Sequence, residues 1–229
     1  MKKTGFIFLF SLIGFEIHAA KASELQILSR DKKVNLMFQY AKNNDEKHLK
    51  ALMNNEEIIR DKYLKNALSL ALFIVSPIKY KNQFILGYPT ENDELWNIIE
   101  EVEYKNLTPR FLFSVKSICT FAENGNETAI KKVFLSLLNS DSVVADEICG
   151  YIGKIFINNP SATLRELVDI EIISRRKIYI CFETLPISEN ELIKKAINKQ
   201  KGLDKCKARD QIISEIIQAA KSQVNENVR

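Results

Sequence analysis

From about residue 31 onwards, apolar residues recur at three- and four-residue steps almost without interruption, which is the period of an amphipathic helix. In KKVNLMFQYAK the residues Val34, Met37, Phe38 and Ala41 share one face, with Leu36 and Tyr40 beside it. The spacing returns in DEKHLKALM, YLKNALSLALFI, ELWNIIEEV, FLFSVKSICTFA, AIKKVFLSLL, VVADEICGYIGKIFI, TLRELVDI, ENELIKKAI and DQIISEIIQAAK. Strand-type alternation is scarce. It occurs in Lys177 to Phe182, KIYICF, which reads as part of a helix, and in Gln83 to Leu86, QFIL, which reads as a short strand at most. Asn, Asp, Ser, Thr and Pro punctuate the pattern, as in NNDE, GYPTENDE, ENGNET, NNPSAT and PISENE, and place helix N-caps near Thr90, Asn126, Ser161 and Ser188. The fold class predicted is all-α.

An internal likeness gives this pattern more shape. Tyr40 to Leu52, YAKNNDEKHLKAL, lies on Phe121 to Val133, FAENGNETAIKKV, without a gap. Each reads as a helix ending at an aromatic-Ala pair, a tight turn, and a second helix starting at Glu. Weaker echoes of the second part occur at ENDELWNII, PSATLRELV and SENELIKKAI. Intervals of roughly 30 to 50 residues suit paired helices that bury their apolar faces by stacking on neighbours. The units resemble HEAT-type and, more distantly, ankyrin-type repeats over about residues 31 to 200, although the T-P-L-H element of ankyrin repeats is absent. The resemblance implies stacked antiparallel hairpins, α-solenoid-like, with an irregular helical bundle as the alternative.

The N-terminus carries a different signal. Lys2 and Lys3 precede an apolar run from Thr4 to Phe15, and Ala20-Lys21-Ala22 resembles a signal-peptidase site. The run is too short to span a bilayer, which needs roughly 20 apolar residues. Residues 1–22 are therefore expected to be a signal peptide, with cleavage after Ala20 as the second choice, residues 23–222 one helical domain and residues 223–229 a frayed tail. The expected mature protein is soluble, without a transmembrane anchor, and exported: periplasmic if the source is Gram-negative, otherwise secreted. Loss of Lys2, Lys3, Lys21 and Glu16 lowers the formal net charge from +4 to +2, too little for a general nucleic-acid binder.

Export changes the reading of Cys119, Cys149, Cys181 and Cys206, since cysteines in an exported chain are usually disulfide-bonded. Three pairings exist. The sequential one, Cys119 with Cys149 and Cys181 with Cys206, is favoured because it joins segments expected to be neighbours in an array. No CxxC pair is present, and His48 is the one histidine left after cleavage, so neither a metal nor a cofactor is expected.

Catalytic motifs are missing: the chain has no GxSxG elbow, P-loop, HExxH or glycine-rich dinucleotide turn. Binding is the better expectation. Residues 91–103, ENDELWNIIEEVE, set Trp96 among Glu91, Asp93, Glu94, Glu100, Glu101 and Glu103, an apolar anchor ringed by acids. Residues 194–209, KKAINKQKGLDKCKAR, gather Lys194, Lys195, Lys199, Lys201, Lys205, Lys207 and Arg209 against Asp204 alone. Asn126-Glu127-Thr128 also matches a glycosylation sequon. The function expected is a non-enzymatic module that binds another protein, with an immunity or inhibitor protein acting on a toxin or hydrolase as the sharpest version. An envelope adaptor is the alternative, and a wall hydrolase using a carboxylate pair a more distant one.

Overall fold

The computed structural model describes residues 28–91, 113–140, 142–183, 185, 187–200 and 207–226. These form twelve helices: α1 (Arg30–Lys42), α2 (Glu46–Leu52), α3 (Glu56–Arg60), α4 (Lys62–Val75), α5 (Pro77–Gly87), α6 (Phe113–Glu123), α7 (Glu127–Asn139), α8 (Ser142–Asn158), α9 (Pro160–Val168), α10 (Ile172–Glu183), α11 (Ile187–Gln200) and α12 (Lys207–Glu226). The fold is all-α, and QFIL and KIYICF both lie inside helices, α5 and α10. No helix among the described residues is long and apolar enough to cross a membrane.

Local chemistry starts six of these helices, and α2, α7, α9 and α11 begin within the punctuation NNDE, ENGNET, NNPSAT and PISENE. Asp45, Asn55, Asp61 and Asn126 each accept a backbone N–H of the following first turn, satisfying donors that have no partner within the helix. Pro77 and Pro160 open α5 and α9, where a missing N–H costs nothing. Asn126 is the cap expected. The cap of α9 is Asn159, so Ser161 lies inside the helix, as Ser188 lies inside α11. The helix expected after Thr90 falls outside the described residues.

The likeness between Tyr40–Leu52 and Phe121–Val133 is a likeness of backbone. Asn44 has φ 54° and Gly125 φ 85°, the left-handed step that ends a helix in a Schellman turn. In the first hairpin Asn44 N–H donates to Ala41 O (3.0 Å) and Asp45 N–H to Tyr40 O (2.8 Å). In the second, Gly125 N–H donates to Ala122 O (3.0 Å) and Asn126 N–H to Phe121 O (3.1 Å). Asp45 and Asn126 then cap the next helix, and Ala41, Ala122, Leu49 and Ile130 are buried at matching positions. Glu46 and Glu127, at the start of each second helix, reach a cation on the Pro-initiated helix downstream, Lys79 at 2.5 Å and Arg165 at 3.2 Å.

Two helices act as hubs. α1, α2, α3 and α5 all pack on α4, which explains why its buried set, from Tyr63 to Phe73, spreads over more than one stripe. α6, α7, α9, α10 and α11 pack on α8 in the same way. An aromatic seam joins the two groups. Phe73 stacks on Phe84 (4.2 Å between centroids) and meets Phe113 and Phe121 at 5.8 and 5.9 Å, while Lys81 Nζ lies 4.7 Å above the Phe121 ring. The extended stretch after α5 runs along α7, where Lys132, Ser136 and Asn139, one helical stripe, donate to the carbonyls of Tyr88, Pro89 and Thr90.

The cysteine pairing differs from the expectation. Cys149 of α8 is bonded to Cys181 of α10, with a Cα–Cα distance of 4.7 Å. A cysteine forms one disulfide, so this bond excludes Cys119–Cys149 and Cys181–Cys206 together. The reason is helix packing: α8 presents Cys149 to α10 rather than to α6, while Cys119 is a fully buried free thiol in the core face of α6. Cys206 lies outside the described residues, as do the expected signal peptide and residues 227–229; of the tail expected over 223–229, residues 223–226 continue α12.

Candidate functional site

The structure places the expected binding residues unevenly. Glu91 is exposed, whereas Asp93, Glu94, Trp96, Glu100, Glu101 and Glu103 lie outside the described residues. Lys194, Lys195 and Lys199 stand exposed on α11, but Lys194 is held by Glu191 at 2.6 Å. Arg209 is half-buried and donates to Gln200 Oε1 (2.8 Å), so the basic run turns inward at that point. Lys201 and Lys205 lie outside the described residues. His48 is tied into its own turn. Its Nδ1 is 2.5 Å from Asp45 Oδ2, its backbone N–H donates to Asp45 Oδ1 (3.2 Å), and its ring stacks on Tyr40 at 5.0 Å. That arrangement occupies both oxygens of the cap and fixes the hairpin.

A site that the sequence reading did not single out lies between α3, α4, α5 and α7: an open cleft of about 390 Å³. Its floor is apolar and buried, formed by Ile58, Leu68 and Leu72. Ile59 and Leu86 stand on its edges, 52% and 68% exposed, with Met53 between floor and solvent. The volume falls in the range of roughly 300–1,000 Å³ typical of ligand sites.

The wall between α4 and α5 is unusually close. A Cβ built on Gly87 would come within 2.8 Å of Ser69 Oγ and 3.0 Å of Ser69 Cβ, so only glycine fits there without a shift. Beside it, the buried Asn66 amide, with its nitrogen turned to the two carbonyls, donates to Gly87 O (2.9 Å) and Lys62 O (3.3 Å). Those bonds hold the C-terminal end of α5 against α4 and set the width of the cleft. Gln83 contributes a polar atom of another kind: its Oε1 is buried in the same cleft and has no hydrogen-bond partner among the described residues. A buried acceptor left without a donor costs about 1–3 kcal/mol; the atom is closed to solvent as it stands, so a ligand N–H or O–H recovers that cost only once the Gln83 side chain turns toward the cleft.

Charge around the cleft has one sign. Lys62, Lys65 and Lys132 line it, and no carboxylate among the described residues does. Lys132 is anchored through its bond to Tyr88 O (2.8 Å). Lys62 and Lys65 are exposed, and neither is ion-paired among the described residues. The acids nearby in sequence are engaged elsewhere. Glu56 pairs with Arg60 (3.0 Å), Glu57 with the buried Lys33, and Asp61 with Arg30 (2.8 Å) while also capping α4. Asp61 stands four residues before Lys65, where an ion pair along the helix would be ordinary, yet its carboxylate is drawn to α1 instead.

A second polar cluster braces α2 against α5. Glu46 accepts from Lys79 Nζ (2.5 Å) and from Tyr80 O–H (2.6 Å), with Lys50 Nζ at 3.1 Å. The Lys79 bond first, then those of Tyr80 and Lys50, lower the pKa of Glu46 from 4.5 to about 2. All three contacts converge on Glu46 Oε1 and tie α2 to α5.

The cleft had a faint sequence signal. Ile58 and Ile59 are adjacent on a one-turn helix, and Phe84, Ile85 and Leu86 are consecutive on α5. Successive helical positions point about 100° apart, so a helix with one buried face must leave one of each group outward. Those outward residues are Ile59 and Leu86. Known proteins add nothing to this picture: no family model matches the chain, and neither does any curated protein or solved structure.

Proposed function

We propose that this chain is an exported, non-enzymatic protein-binding module whose docking site is the cleft between α3, α4, α5 and α7. The observation that carries the reading is the pair Ile59 and Leu86, two large apolar side chains held in water on either edge of an apolar cleft. Isolated apolar residues on a surface need no explanation, but a preformed cleft flanked by two of them is a surface that gains by being covered. Export is supported by the basic, apolar and small-residue order of residues 1–22 and by the Cys149–Cys181 disulfide, a bond that persists in oxidising compartments. The sharpest role consistent with this is an immunity or inhibitor protein that blocks a toxin or hydrolase reaching the same compartment. An adaptor with a resident envelope partner is the alternative, and the partner's activity separates the two.

The test is affinity capture from an envelope extract with tagged protein, comparing the wild type with Leu86→Asp. A stoichiometric protein retained by the wild type and lost by the variant supports the reading, and inhibition of that protein, if it is a toxin or hydrolase, supports the immunity role. Retention of the same protein by both forms contradicts the cleft as the docking site. Retention of none, together with degradation of wall material by the wild type, would overturn the reading in favour of an enzyme.

A further inference from the structure

Resting on that reading, we infer that the partner segment is acidic and amphipathic: apolar side chains enter the cleft, its carboxylates meet Lys62 and Lys65, and an N–H of the segment donates to Gln83 Oε1. Charge complementarity is the first ground. Among the described residues the cleft is bordered by lysines and lined by no carboxylate, and the acids next to it, Glu57 and Asp61, are committed to Lys33 and Arg30. Lys62 and Lys65 lie one helical turn apart on α4, so two acids spaced by one turn of a partner helix, or by two residues of an extended strand, meet both. Like-charge contact works equally strongly in the other direction and rejects a basic segment.

The second ground is Gln83. Its buried oxygen asks for a donor; once the side chain turns to the cleft, a segment lying extended there, or placing the first turn of a helix there, brings free N–H groups, whereas an acyl chain brings none. A fatty acid would satisfy the lysines and the apolar floor and leave Gln83 as it is. The combination of an apolar floor, uncompensated ammonium groups and an orphan acceptor therefore favours an acidic protein segment over an anionic lipid.

The test uses the protein expressed from its full-length sequence, with isotope-labelled Ile and Leu methyls and side-chain amides, titrated by NMR with three probes. One is a synthetic dodecapeptide with leucines at helical spacing and glutamates between them; the second carries lysines for the glutamates; the third is dodecanoate. The Leu/Glu peptide is expected to shift the Ile59 and Leu86 methyls and the Gln83 amide. Its affinity should fall about tenfold in the Lys62→Glu/Lys65→Glu variant and fall further with added salt. The same variant should gain binding of the Leu/Lys peptide, a gain that misfolding cannot produce. Equal or stronger binding of the Leu/Lys peptide to the wild type overturns the inference and leaves the protein-binding reading standing. Shifts from dodecanoate alone, or from no probe, also overturn the inference, while the protein-binding reading stands or falls by the capture experiment.

Discussion

Asn44 and Gly125 occupy the same left-handed step of two hairpins, and at Gly125 an added Cβ would lie 2.8 Å from Asn159 Oδ1. Asn159 cannot simply swing away, because its Nδ2 donates to Ala122 O (3.2 Å) and Glu123 O (2.8 Å), the last carbonyls of α6. The two turns should therefore respond differently to substitution. Gly125→Ala adds backbone strain of about 1–2 kcal/mol and disturbs two hydrogen bonds worth about 1 kcal/mol each. A loss of about 2–4 kcal/mol is expected. Asn44→Gly relieves strain at a small entropic cost and should change stability by less than about 0.5 kcal/mol. Urea unfolding of both variants checks this, and equal losses would contradict the account of the turns.

The wall of the cleft makes a second prediction. Gly87→Ala must push α5 away from Ser69, since Ser69 Cβ as well as Oγ stands in the way. Overpacking of this kind costs about 1–3 kcal/mol. In a Ser69→Gly background both obstructing atoms are gone, so Gly87→Ala should there cost little. A double-mutant cycle by thermal unfolding measures the coupling, and simple additivity would show that the two helices do not meet as closely as described.

For the thiols, peptide mapping without reduction should find Cys149 joined to Cys181. Cys119 should resist alkylation in the native protein and react on unfolding, because it is fully buried and its burial, first, and then the Glu147 and Glu123 charges raise its pKa. The disulfide closes a loop across a sequence separation of 32 residues, for which chain entropy predicts about 3–4 kcal/mol of stability. Paired Cys149→Ala/Cys181→Ala substitution should lower stability by about that amount at equal pH and temperature.

Acid should loosen the α2–α5 brace. Glu46 has a folded pKa of about 2 against 4.5 for the free group, so the unfolded chain binds more protons between those values. The contribution of Glu46 is thus fully present above pH 4.5 and is lost as pH falls towards 2. Glu46→Gln should flatten the stability profile of the protein in that window and leave the slope above it unchanged. Circular dichroism through an acid titration reads both, and an unchanged profile in Glu46→Gln would place the acid-sensitive contact elsewhere.

The contrast between hairpins and cleft shows what was readable before any coordinates. Val34, Met37, Phe38 and Ala41, placed on one face by spacing alone, are all buried, and the shared pattern of Tyr40–Leu52 and Phe121–Val133 is a shared turn. Both are local properties, set within about one helical turn of chain. The cleft is not local. It brings Ile59, Leu86 and Lys132 together from three helices, and Lys65 has no ion-pair partner among the described residues because Asp61 reaches across to Arg30 rather than along α4. The disulfide failed for the same reason: which face of α8 meets α10 depends on packing, and nearness in sequence favoured the wrong partner. The acidic stretch around Trp96 lies outside the described residues, and of the basic stretch Arg209 turns inward.

The most direct test of the central claim is site-specific photocrosslinking in the cell. A photoreactive phenylalanine analogue replaces Leu86 at the cleft edge or, as a control, Ile78, which is 96% exposed on the same helix and does not line the cleft. A discrete heavier adduct containing a second protein, formed from position 86 and not from position 78, is the predicted result. Adducts of equal yield from both positions, or none from position 86, would contradict a docking site in this cleft.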